Sequence, residues 1–106
     1  MSGRAMWVLG AVVAVAASVG MAALSRAPLA AILPQLFVRL EGVSHMIVLK
    51  TIVGGAQTVA SAIDRESSTD ILGTIAGDVT ILMVCRSEGA RERVARRLSS
   101  LGRRTN

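Results

Sequence analysis

The chain has 106 residues, 52% hydrophobic and 2% aromatic, with 12 basic and 7 acidic side chains and a formal net charge of +5. So apolar a chain, with only 18% charged residues, is not intrinsically disordered. A single cysteine, Cys85, excludes an intrachain disulfide framework and a cysteine-based zinc site, and two aromatic rings, Trp7 and Phe37, are too few for a base-stacking single-strand binder.

Charge is unevenly placed. Residues 1–30 carry +2, residues 31–87 carry −1, and residues 88–106 carry +4. The basic character belongs to the two ends, and the middle is nearly neutral.

Residues 5–24 form an uncharged run of 20, flanked by Arg4 and Arg26. As a helix it would be about 30 Å long, the thickness of a bilayer core, and apolar on all sides. Three readings of it stand: a transmembrane or signal-anchor helix, a secretory signal with small residues around Ala14-Val15-Ala16, or an Ala/Gly/Val-rich stretch read from an upstream start or a shifted frame. Seven of the 20 residues are alanine, which adds little insertion energy. The division expected is an apolar segment over 1–30 and a folded domain over 31–106.

Pro28 and Pro34 are expected to break any helix leaving the first segment. Residues 35–41 alternate and read as a strand; residues 45–51 read as a second, joined through a turn around residues 42–44. After Val53-Gly54-Gly55, apolar Ala56, Val59, Ala60 and Ile63 recur at helical spacing, which predicts an amphipathic helix over 56–65. Residues 70–76 and 80–85 read as two more strands around a Gly77-Asp78 turn. Ser87 suits the N-cap of a last helix with Glu88 in its first turn, an apolar stripe of Ala90, Val94, Leu98 and Leu101, and arginines on the other faces. The expected fold class is α+β: a two-layer ββαββα unit, a four-stranded antiparallel sheet with two helices on one face, preceded by the apolar N-terminal helix.

Several residue types carry chemistry in other settings. His45 has no acid, thiol or second histidine to complete a metal or catalytic set, and Cys85 reads as a small core hydrophobe. No nucleophile, base and orienter can be assembled, so the chain is not expected to be an enzyme. The six arginines after residue 88 read as a solvated helix face, with weak contact to phosphate or anionic lipid as the alternative.

Residues 47–51 (IVLKT), 54–57 (GGAQ), 60–64 and above all 71–80 (ILGTIAGDVT) closely resemble the C-terminal domain of bacterial arginine repressors, over about residues 33–101. The resemblance implies a domain that trimerises, trimers that pair into hexamers, and L-arginine bound between trimers as co-repressor. It places the ligand contacts on Gln57 and Asp64 of the first helix and on Ala76 and Asp78 at the end of the third strand. A carboxylate such as Asp78 can accept two parallel hydrogen bonds from a guanidinium, while a second acid and an amide hold the ligand's other end.

Two positions depart from the family pattern. Val79 stands where the family carries a second acid after Asp78, a loss of attraction of about 1.5–3 kcal/mol toward a cationic ligand. Val53 stands where a proline is usual, a change of up to about 1 kcal/mol in loop rigidity. The family's winged helix-turn-helix has no counterpart in the apolar run of residues 1–30, because a recognition helix needs polar and basic side chains. The expectation is a truncated or rearranged arginine-sensing regulator in the cytoplasm, reaching DNA only through a full-length repressor partner. The alternative is a membrane-anchored interaction module held through residues 5–24.

Overall fold

A computed structural model describes residues 27–103 of the chain. The run at residues 5–24, and with it the membrane, signal and start-site readings, lies outside the described residues. The elements in chain order are α1 (Leu29–Leu36), β1 (Phe37–Val43), β2 (Met46–Thr51), α2 (Ala56–Arg65), β3 (Ile71–Ala76), β4 (Thr80–Cys85) and α3 (Glu88–Gly102). The strands form one antiparallel sheet in the order β1-β2-β4-β3, and the core lies between one face of it and the helices. The α+β sheet is as expected; the helices number three among the described residues, not two.

The additional helix is α1, at a place where two prolines suggested a break. Pro28 serves as its N-cap, with the backbone N–H groups of Ala31 and Ile32 donating to the Pro28 carbonyl. Pro34 sits inside α1 and lacks the N–H that would bond the Ala30 carbonyl. Ala30 is exposed, so water can take up that carbonyl. Against this stand Leu29, Ile32, Leu33 and Leu36, buried at offsets of three, four and seven, each worth about 1.5–3 kcal/mol of transfer free energy. Burial of that stripe outweighs one missing hydrogen bond. The first strand therefore begins at Phe37, two residues later than the alternation suggested.

The strands alternate as half-buried strands should. Ile47, Leu49 and Thr51 of β2 and Ile81, Met83 and Cys85 of β4 point into the core. The turn between β1 and β2 falls at Ser44-His45, with Ser44 at a φ of 54°, and meets the expected turn of residues 42–44 at Ser44. Gly42 lies within β1 opposite Ile47, where a Cβ would come within 2.8 Å of Arg91 Cδ, at the flexible end of a side chain from α3.

Gly54, at a φ of 79°, turns the chain from β2 toward α2. α3 begins as its sequence indicates: the Ser87 hydroxyl accepts from the Ala90 N–H at 3.0 Å, and Ala90, Val94, Leu98 and Leu101 are buried. Among the described residues no helix is long and apolar enough to cross a membrane.

Candidate functional site

α2 runs beside the edge strand β3, and this juxtaposition gathers the residues singled out in the sequence. Near the start of α2 the Gln57 side-chain amide donates to the Ala76 carbonyl at 2.9 Å. A carbonyl only accepts, so the amide nitrogen must face it, which turns Gln57 Oε1 outward as an acceptor. The next turn of chain is tied to the same end of the helix, because the Ala56 N–H donates to the Asp78 carbonyl at 3.3 Å. Gly77 N–H donates to the Thr80 carbonyl at 2.8 Å and closes the β3–β4 turn. The Asp78 carboxylate is left exposed at the tip, with no hydrogen bond or ion pair among the described residues.

Asp64 lies two turns further along α2, about 10 Å from Gln57 and on the same face. Its Oδ1 accepts from the Thr74 hydroxyl at 2.9 Å, and Oδ2 accepts nothing among the described residues. Three of the four residues, Gln57, Ala76 and Asp78, thus converge at one end of α2, and Asp64 stands apart from them. The unpaired groups of the set are the acceptors Gln57 Oε1, Asp64 Oδ2 and the Asp78 carboxylate, beside the second N–H of the Gln57 amide. Such a rim suits a ligand rich in N–H donors, an ammonium or guanidinium group. No group of three or more His, Cys, Asp or Glu side chains that could hold a metal occurs among the described residues.

Enclosed space lies elsewhere. A cavity of about 120 Å³ opens at the far end of α2, floored by Leu29, Ile63, Ile71 and Leu98 and rimmed by two ion pairs. Arg93 forks onto both oxygens of Asp70, at 3.1 and 2.9 Å, and Arg97 forks onto both oxygens of Glu66. A second cleft, of about 160 Å³, includes Asp64, Ser67, Ser68 and Gly73. Gln57 and Asp78 line neither of these two cavities.

The two forks were not apparent from the sequence, where the arginines of α3 read as a solvated face. A signal existed: Glu66 and Asp70 are four residues apart, as are Arg93 and Arg97, a spacing that matches acids to bases across two segments. The Arg97 fork holds Glu66 below the usual carboxylate range, and the Arg93 fork, with Arg86 nearby, does the same for Asp70. Arg91 donates to the Ser44 carbonyl, and Arg96 keeps no partner among the described residues. Burial, with the Asp70 charge nearby, pushes the Cys85 thiol up, as befits a core position.

The fold is thus an antiparallel α+β domain with an exposed, acceptor-rich rim beside α2. The chain belongs to the arginine repressor family through its C-terminal domain, whose family model matches residues 33–100. That family consists of transcription regulators, not enzymes. Over 65 residues the chain is 45% identical to the arginine repressor of Bacillus subtilis, 46% identical to that of Bacillus velezensis and 40% identical to that of Staphylococcus saprophyticus. These alignments cover 61% of this chain and 43–44% of each relative, so the chain spans less than half the length of the curated relatives it matches.

Proposed function

We propose that residues 31–106 form an arginine-sensing and oligomerisation domain that contributes to the control of arginine metabolism. L-Arginine is held through Gln57, Asp64, the Ala76 carbonyl and Asp78. The observation that carries this reading is the bond from Gln57 to the Ala76 carbonyl beside an unpaired Asp78, which sets an acceptor-rich rim in the one chain segment of net negative charge. The rim lies on an open surface, and a second copy facing it would supply the missing wall. That supports a ligand bound between subunits, in the trimers and hexamers that the family resemblance implies.

The outer face of the sheet supports assembly as well. Val43, Met46, Val84 and Ile75 are exposed by 56, 36, 37 and 72% on the side away from the helices, a contiguous apolar surface that a lone chain leaves in water. Operator DNA would be reached through full-length repressor subunits in the same assembly. Val79, beside Asp78, weakens the attraction for a guanidinium by about 1.5–3 kcal/mol relative to an acid there, roughly ten- to a hundredfold in affinity.

Calorimetric titration of the full chain with L-arginine, beside a Val79→Asp variant, tests the reading. Binding by the parent, or binding gained by the variant, supports an arginine pocket built on these residues. Absence of heat from both, with both chains folded, refutes it.

A further inference from the structure

The cavity between α2 and α3 has no part in the arginine reading, since neither Gln57 nor Asp78 lines it. Its floor is Leu29, Ile63, Ile71 and Leu98, and three of these, Leu29, Ile63 and Leu98, are no more than 3% exposed. Water held against such a floor lacks hydrogen-bond partners on that side, so an apolar group gains by displacing it. An apolar cavity of about 150 Å³ can hold benzene, so this one, of about 120 Å³, takes an aliphatic body of about four or five carbons.

The mouth is polar and its charge is one-sided. Arg93 binds Asp70 through Nε and Nη2, and Arg97 binds Glu66 through Nη1 and Nη2. Within each fork the guanidinium is the more exposed partner: 62% against 29% for Arg93 and Asp70, and 53% against 29% for Arg97 and Glu66. The acids are covered by their own arginines, and the outward groups are cations. Arg86 adds a third, because its Nε donates to the Thr69 carbonyl at 2.8 Å and its charge acts on the neighbouring Asp70. Three arginines against two acids leave the mouth at +1.

Donors remain in these groups. Arg93 Nη1 and Arg97 Nε make no hydrogen bond among the described residues. The Ser68 hydroxyl accepts from the Asp70 N–H at 3.2 Å, which leaves its own proton to donate. The forks already hold both guanidinium planes in place, so a ligand does not have to order two long side chains. A cationic ligand would have to displace an arginine from its acid, and a neutral hydrocarbon would leave the donors unmatched. An anion with an apolar body satisfies both floor and mouth.

We propose that this cavity binds a small branched aliphatic carboxylate, with its alkyl body on Leu29, Ile63, Ile71 and Leu98 and its carboxylate at Arg93 Nη1 and the Ser68 hydroxyl. The site is separate from the rim at Gln57 and Asp78 and does not depend on whether arginine binds there. Ile63 of its floor comes from α2, the helix that also carries Gln57 and Asp64, so the two sites share one helix.

Titration of the full chain with isovalerate, followed by nuclear magnetic resonance of labelled Ile, Leu and Val methyl groups, tests it. The signals of Ile63, Ile71 and Leu98 should shift saturably. Isovaleramide, the same skeleton without the charge, and acetate, the head without the body, should each bind at least about tenfold more weakly. Isopentylamine should leave these signals unmoved. Arg93→Gln should weaken isovalerate binding at least about tenfold while leaving isovaleramide within about twofold. Ser68→Ala, which keeps both forks, should weaken isovalerate by about three- to tenfold; circular dichroism checks that each variant is folded. Signals unmoved at up to about 50 mM isovalerate in a folded parent chain overturn the site, and equal binding of acid and amide overturns the anionic head. Shifts confined to residues away from the cavity, or an affinity unchanged in both variants, overturn its placement.

Discussion

Replacing Gly102 with alanine should destabilise the domain, although helix propensity alone predicts the opposite. Gly102 is the last residue of α3, and glycine in a helix costs up to about 1 kcal/mol relative to alanine. The structure places a Cβ at this position 2.4 Å from Phe37 Cγ and 2.6 and 2.8 Å from its Cδ atoms. Carbon atoms prefer about 3.5–4.0 Å, so the overlap is roughly 1 Å. The ring cannot swing clear cheaply, because the overlap is at its root. Phe37 is also tied on both sides: its N–H donates to the Leu33 carbonyl, and it pairs with Thr51 across the sheet.

Overpacking of this kind costs about 1–3 kcal/mol, and the propensity gain at a helix end recovers only part of it. The net loss of about 1–2 kcal/mol corresponds to a Tm lower by about 5–15 °C for a domain of this size. Thermal unfolding at one fixed chain concentration measures it, since assembly would make Tm depend on concentration. Phe37→Ala in the same cycle should remove the penalty, so that the two substitutions couple by about 1 kcal/mol or more. A Gly102→Ala chain with a raised Tm, or a cycle with no coupling, refutes the packing argument.

Asp64→Asn should leave stability nearly unchanged, because the amide oxygen can still accept from the Thr74 hydroxyl. It should weaken arginine binding about ten- to a hundredfold in whichever chain binds, the parent or Val79→Asp, since the outward oxygen becomes a donor; calorimetry measures this. Acid should loosen the rim of the cavity between α2 and α3. Glu66 and Asp70 titrate below their ordinary values of 4.5 and 3.8 in the folded chain, so the unfolded chain binds more protons through this window. Their contribution is complete above those values and is lost as pH falls through the lowered folded ones. Glu66→Gln with Asp70→Asn should therefore flatten the fall of Tm below about pH 4.5, and an unchanged pH profile contradicts the role given to the forks.

The sequence by itself determined the sheet. Alternation in residues 46–51 and 80–85, the helical spacing of Ala56, Val59, Ala60 and Ile63, and the capping serine at 87 are local signals. The elements they specify keep their own periodicity once packed. The family was legible for a related reason: the run at residues 72–78 combines a strand end with a tight turn, and few other residues serve there. Of the candidate site, the residue types were readable, but their mutual placement was not. That Gln57 meets the Ala76 carbonyl while Asp64 is held by Thr74, two turns away, depends on how α2 lies along β3.

Tertiary structure alone decided the rest. Two prolines locally argue against a helix, and only the burial of Leu29, Ile32, Leu33 and Leu36 under α3 and α2 makes α1 the better conformation. Gly102 looks like punctuation in the sequence, yet it gives way to the Phe37 ring from a distant element. The net charge of +5, which first pointed to a basic protein, resolves in the same way. Arg93 and Arg97 are spent on Asp70 and Glu66, Arg91 on a backbone carbonyl, and Arg39 and Lys50 stand opposite each other on the outer sheet face. Charge totals are additive along a chain; pairing depends on which atoms the fold brings within hydrogen-bond distance.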